Sequence, residues 1–267
     1  MGNASASATA DQAGLLTIEK SGAVLTVGLN RPAKRNALND GIILAIQDCF
    51  SNVPDDIGAV VIHGIGDHFS SGLDLSELTE HDATEGLRHS QMWHRVFDRI
   101  QYSRVPVIAA LKGAVIGGGL ELACAAHIRV AEPSAYFALP EGQRGIFVGG
   151  GGSVRLPRLI GVARMTDMML TGRVYSATEG AAYGFSQYLT EAGGALPKAL
   201  ELAERVAANA PLTNFAVLQA LPMIAEANPQ AGLLMESLMA TVAQSDKEAK
   251  RRIRAFLDRK TAKVKPT

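Results

Sequence analysis

At 267 residues the chain is long enough to bury a full hydrophobic core without disulfides or metals as staples. Its hydrophobic share of 47% and charged share of 19% are those of an ordinary soluble globule. Basic and acidic residues balance at 26 each, so no net charge recommends a nucleic-acid or membrane partner.

In chain order, residues 1–12 are small and polar and read as a disordered tail. They lack the basic and apolar regions of a signal peptide and the arginines of a transit peptide. Ala6 stands where a myristoylation pattern needs Ser or Thr. "LLTIEK" and "AVLTVGLN", separated by "SG", predict a β-hairpin. "RPAKRNALND" reads as a polar loop leading into a helix, "GIILAIQDCFSNV", with Ile42, Ile43, Ile46 and Phe50 at helical spacing. "IGAVVIHG" predicts a buried strand and "IGDHFSSGLDLSEL" a glycine-punctuated loop. From Glu85 to Tyr102 a helix is expected, with Leu87, Trp93, Val96, Phe97 and Ile100 on one stripe. "VPVIAAL" is the next strand, followed by a helix from Gly119, then strand-like "HIRVAE" and "AYFALPE". A second glycine-rich turn enters the helix "SVRLPRLIG", and "MTDMMLTG" and "SATEGAAYG" predict two more. Beyond about residue 195 everything reads as helix, including "ALPKALELAERVAANAP" and "LTNFAVLQALPMIAE" as one helix each. Strands alternating with helices, then helices alone, predict an α/β core over 13–195 and a helical C-terminal module over 196–267. No apolar run approaches the roughly 18 residues of a membrane span. Cys49 and Cys124 fit no CxxC spacing and read as reduced, buried thiols of a cytosolic protein.

The stretch "VIGGGLEL" carries chemistry. A helix N-terminus has unpaired N–H groups and a partial positive charge, and glycines let a ligand approach that backbone closely. Three glycines opening a helix therefore suit the stabilisation of an oxyanion, although they would equally permit close helix–sheet packing. Glu121, three residues after Gly118, lies on the same helical face. "FSSGLDL" supplies a second glycine turn after a strand, with the Leu73 N–H as another donor. "ALPEG" places Glu141 at a strand end, so two carboxylates can meet at one rim, as general acid–base work requires. The helix dipole is expected to keep Glu121 ionised, and burial beside "YFALP" to keep Glu141 protonated.

With "NRPAKRNAL", "FSSGLDL", "VIGGGLELA", "ALPE" and "GGGGSVRLPRLIG" in this order, the chain resembles the crotonase (enoyl-CoA hydratase/isomerase) superfamily over nearly its whole length. The resemblance implies a spiral of ββα turns with a C-terminal helical oligomerisation module, assembled as a homotrimer or a dimer of trimers. It implies an acyl-CoA substrate whose thioester oxygen is held by the N–H groups of Leu73 and Gly118. The two glutamates match those of the hydratases: Glu121 would activate water and Glu141 would protonate the α-carbon. Arg31, Lys34 and Arg35 match the loop laid against CoA, and Ser71, Asp74 and Leu75 the adenine pocket. Phe256 and Arg259 match positions that close over the CoA of a neighbouring subunit. Lys34 and its neighbours could instead be a solvated loop, and Asp74 a turn cap. No cofactor beyond the substrate's own CoA is implied, and the location implied is cytoplasmic. Isomerisation, retro-aldol cleavage or a non-catalytic binding role remain open as alternatives.

Two departures stand out. Gln143 and Arg144 follow Glu141 where familiar hydratases have apolar residues, and Leu73 replaces a smaller residue at the oxyanion turn. Trp93 reads as core before substrate platform. The scattered histidines offer no HExxH or i,i+4 pair, so no metal site is expected. "GIGDHF" lacks the third glycine of a dinucleotide fingerprint, and Ser70 and Ser71 have no assignable base for serine hydrolysis. The basic stretch 250–265 has too few aromatics to stack bases, so nucleic acid is not an expected partner.

Overall fold

The computed structural model describes residues 14–77 and 82–258. The chain divides between Ala207 and Ala208 into two compact units. The first holds a six-stranded sheet: β1 (Leu16–Ser21), β2 (Val24–Leu29), β3 (Ala59–Gly64), β4 (Val107–Leu111), β6 (Ile128–Ala131) and β9 (Tyr188–Leu189), hydrogen-bonded in that order. The first pair forms the expected antiparallel hairpin, with Ser21 opposite Val24; every later pair is parallel. A second sheet joins β5 (Ala114–Ile116), β7 (Tyr136–Ala138) and β8 (Tyr175–Ser176). Strands β5, β8 and β9 escape the sequence because two or three residues are too few to display a period.

The central strands are apolar on both faces, as parallel strands covered by helices must be. Alternation sorts their side chains into two cores. Val60, Ile62, Val107, Ala109 and Leu111 join the larger cluster. That cluster also takes in Ile42, Ile43, Ile46 and Phe50 of α1 (Asp40–Ser51) and Trp93, Val96, Phe97 and Ile100 of α2 (Ala83–Gln101). It is completed by α3 (Gly118–Ala125), α4 (Gly152–Ile160), α5 (Val162–Thr171) and α6 (Ala177–Tyr183). Val24, Ala59, Val61, Ile108, Ala110 and Val130 face the other way, onto Ala195, Ala199, Leu202 and Ala203 of α7 (Ala195–Ala207). Those four residues recur at i, i+4, i+7 and i+8, one stripe of a helix. Helix α7 thus completes the sheet's second core and belongs to the first unit. The division falls after Ala207 instead of at the expected 195/196.

The second unit contains α8 (Pro211–Phe215), α9 (Leu221–Glu226), α10 (Pro229–Ser245) and α11 (Lys247–Leu257). The single helix expected over "LTNFAVLQALPMIAE" is interrupted by a π-helical turn, Ala216–Ala220. Pro222 explains it: proline lacks the N–H and its ring clashes with the carbonyl four residues back, which a widened turn accommodates. Leu233, Leu234 and Leu238 are exposed on α10, whereas Leu218 is buried. No helix among the described residues is long and apolar enough to cross a membrane.

Candidate active site

The turn after β3 is built around Ser70 and Asn36, both fully buried. Ser70 Oγ donates to the Asn36 carbonyl and accepts from the Gly72 N–H at 3.1 Å. Asn36, in a left-handed conformation, donates to the carbonyls of Ile65 and His68. Leu38 pairs with Leu73 as an isolated parallel bridge, through the Gly72 carbonyl and the Asp74 N–H. That pairing leaves the Leu73 N–H without an acceptor among the described residues. Gly118 opens α3, so its N–H has no intrahelical acceptor either. A methyl group placed on Gly118 would lie 3.6 Å from Leu73 N, so the two donors are neighbours. This is the pair that the sequence singled out. Ser70 and Asn36 were missed as its scaffold, because only the folded turn shows what they bind.

Both glutamates line one cavity of about 400 Å³ together with Leu73, Gly118, Trp93 and Ser71. Glu121 is 3% exposed, and its Oε1 accepts from the N–H groups of Gly150 and Gly152, at 2.8 and 2.7 Å. The loop that carries those donors is fastened in turn. Ser90 Oγ donates to the Gly149 carbonyl at 2.7 Å. Arg155, also buried, donates from Nη1 to the Gly150 carbonyl at 2.9 Å and is paired with Asp98 at 2.6 Å. Arg155 could not be singled out from the sequence: "SVRLPRLIG" reads as a helix, and nothing local says which way its arginine turns.

Burial raises the Glu121 carboxyl above its ordinary range, against the opposing effects of the Gly152 and Gly150 N–H groups and the Arg155 charge. The helix N-terminus is expected to favour the ionised form of Glu121; burial acts in the opposite direction, so the shifts of Glu121 and Glu141 have the same sign. The lost hydration of Glu121 outweighs the dipole and the hydrogen bonds. Glu141 is raised as well, by burial first and with a contribution from the Glu121 charge. Its Oε2 is buried without a hydrogen-bond partner among the described residues. Oε1 lies where a methyl on Gly117 would come within 2.6 Å, and Gly117 itself has φ +52 with ψ -125, a backbone conformation that residues with a Cβ rarely adopt. A buried, unpartnered carboxyl oxygen beside a cavity is held at a cost and calls for a function.

The remaining sequence candidates are spread more widely. Asp74 is 6% exposed and paired with Arg31 at 2.9 Å and Lys34 at 3.0 Å. Its Oδ1 accepts from the N–H and hydroxyl of Ser76, so Asp74 caps a turn and clamps the early basic loop. Despite its burial, hydrogen bonds from Ser76, Lys34 and Arg31 hold its carboxyl far below the usual range. Arg35 is exposed and left-handed, its carbonyl accepting from the Ser71 N–H. Leu75 lines the cavity with Ser71. Trp93, 4% exposed, packs edge-on against Phe97 in the core and also walls the cavity. Phe256 is exposed on α11 of the second unit, and Arg259 lies outside the described residues. Cys49 and Cys124 are free and buried. No group of three or more His, Cys, Asp or Glu among the described residues is placed to hold a metal ion.

Over residues 19–266 the sequence matches the enoyl-CoA hydratase/isomerase family. The chain belongs to that family. Among its curated members, the 2,3-dehydroadipyl-CoA hydratase of Escherichia coli is 34% identical over 94% of this chain and 98% of that protein. The short-chain-enoyl-CoA hydratase of Clostridium acetobutylicum is 31% identical over 91% and 94%. Among solved structures, a protein of Rhodopseudomonas palustris provisionally named an enoyl-CoA hydratase is 81% identical. It superposes with a TM-score of 0.91, covering 94% of this chain and 97% of that one. The mixed α/β architecture with C-terminal helices is that of the enoyl-CoA hydratases, the crotonase fold.

Proposed function

We propose that this protein is an enoyl-CoA hydratase, adding water across the α,β double bond of an acyl-CoA thioester. The observation that carries the reading is the meeting of two buried carboxyls and two unpaired N–H donors around one cavity. In this scheme the Leu73 and Gly118 N–H groups hold the thioester oxygen and take up the negative charge of the enolate. Glu121 accepts a proton from water as the oxygen attacks the β-carbon. Glu141, raised toward its protonated form, delivers a proton to the α-carbon. Two glutamates favour hydration over isomerisation, for which one suffices. The chemistry uses only the chain's own groups, water and the substrate's CoA. Arg31, Lys34 and Arg35 with Ser71 and Leu75 supply a basic rim for the CoA phosphates, Asp74 holding that rim in place, and Phe256 and Arg259 belong to the same role in a neighbouring subunit.

The exposed Leu233, Leu234 and Leu238 favour self-association of the second unit, as a trimer or dimer of trimers, and a cytoplasmic location fits the reading. Sedimentation showing a monomer at micromolar concentration would remove the assembly. For the reaction, purified protein is given crotonyl-CoA and followed at the enoyl absorbance with mass detection of products. A gain of one water is expected, and Glu141→Gln should lose at least about a hundredfold in turnover. Wild-type hydration by a folded Glu141→Gln protein would end the reading.

A further inference from the structure

Gln143 and Arg144 interrupt a stretch expected to be apolar, and the structure separates their roles. They sit in a 3-10 turn, Gly142–Arg144, that begins immediately after Glu141. The turn is pressed onto α5: a methyl on Gly142 would fall 2.0 Å from the Met169 carbonyl oxygen. Gln143 continues the attachment, donating from Nε2 to the Thr171 carbonyl at 3.2 Å. Arg144 does not share in it. Residues three apart in a 3-10 turn eclipse one another, displaced by about 6 Å along the axis. Arg144 therefore stands on the Glu141 side of the turn, and it lines the same cavity. Its charge is near enough to oppose the rise of the Glu141 carboxyl.

Arg144 has no hydrogen-bonded or ion-paired side-chain partner among the described residues. The other basic side chain among the described lining residues, His89, is engaged by Asp40 at 2.9 Å. The cavity's lining also includes the apolar side chains of Ile146, Phe147, Val148, Leu75 and Trp93. An exposed guanidinium on the lining of a cavity with these apolar walls is complementary to an apolar chain that ends in an anion. Arginine's planar fork suits a carboxylate in particular, which it can grip with two parallel N–H bonds.

We infer that Arg144 selects enoyl-CoA substrates whose acyl chain ends in a carboxylate. The inference rests on the hydratase reading and narrows it to a substrate class.

The test compares 2-hexenoyl-CoA with 2,3-dehydroadipyl-CoA, of equal chain length, on the wild type and on Arg144→Gln and Arg144→Lys. The readout is the ratio of kcat/KM for the two substrates, in which any effect on Glu141 common to both cancels. The wild type should favour the carboxylated chain. Arg144→Gln should lose at least about tenfold of that preference, chiefly through KM, and Arg144→Lys should restore part of it. An unchanged ratio overturns the inference. So does an equal loss on both substrates; if that loss vanishes with pantetheine thioesters, Arg144 reads the CoA phosphates instead. Should the wild type hydrate neither substrate, the hydratase reading fails by itself. Calorimetric binding of saturated adipyl-CoA against hexanoyl-CoA, which needs no turnover, still decides on Arg144. Tighter binding of adipyl-CoA that Arg144→Gln abolishes supports the assignment, and equal affinities refute it.

Discussion

Replacing Glu121 tests two functions that the structure gives to one carboxylate. Its Oε1 is the acceptor for two buried N–H groups, those of Gly150 and Gly152, and the residue also lines the cavity. Glu121→Gln keeps an oxygen for both donors and removes only the ability to take a proton from water. Turnover should fall by about 10²–10⁴, the usual contribution of a general base, or about 3–5 kcal/mol at 1.36 kcal/mol per decade. Stability should change little. Glu121→Ala removes the acceptor as well. Leaving a buried donor unsatisfied costs about 1–3 kcal/mol, so two donors predict a loss of about 2–6 kcal/mol in folding free energy. Water entering the vacated volume would bring the loss to the lower end. Urea titrations of the wild type and both variants, beside hydration assays, separate the effects. The reasoning is refuted if Glu121→Ala and Glu121→Gln unfold at the same urea concentration as the wild type, or if Glu121→Gln hydrates normally.

Gly117→Ala should force the Glu141 carboxyl out of position, since the new methyl would lie 2.6 Å from Oε1. A misplacement of this kind costs up to about a hundredfold, read as parallel losses of hydration and of α-proton exchange in heavy water. Asp74→Asn should destabilise the protein by about 1–3 kcal/mol by weakening its charge-assisted bonds to Arg31 and Lys34, a value that urea midpoints will check. Asp74 and the glutamates pull pH dependence in opposite directions. The depressed Asp74 carboxyl stabilises the fold above its ordinary 3.8 and loses that contribution as pH falls. Glu121 and Glu141, both raised, stabilise it fully below 4.5 and lose that contribution as pH rises through their folded-state values. Replacing both glutamates by glutamine should therefore flatten the decline on the alkaline side of 4.5 and leave the acid side unchanged. In activity, the acid limb of kcat/KM should lie above 4.5, because a raised Glu121 must ionise to accept a proton.

Much of the site was legible in the sequence because its parts are local. Glycines at the mouth of a helix declare unpaired N–H groups, since backbone donors need no side chain to specify them. Gly118, Leu73, Glu121 and Glu141 could thus be named from three short stretches, and alternation and helical stripes placed the main strands and helices. What lay beyond reach depended on partners distant in the chain. Glu121 meets its donors 29 and 31 residues later, and Asp74 meets Lys34 40 residues earlier. Whether a polar residue anchors a turn, as Gln143 does, or stands toward a cavity, as Arg144 does, is decided by what packs behind it. The same holds for α7, helical by sequence but assigned to the sheet's second core only by contact with Val61 and Ile108. The ionisation of Glu121 is the clearest case. Its helix position, readable in the sequence, argues for the charged form. Burial raises its carboxyl all the same, and loss of hydration is a property that only tertiary packing creates.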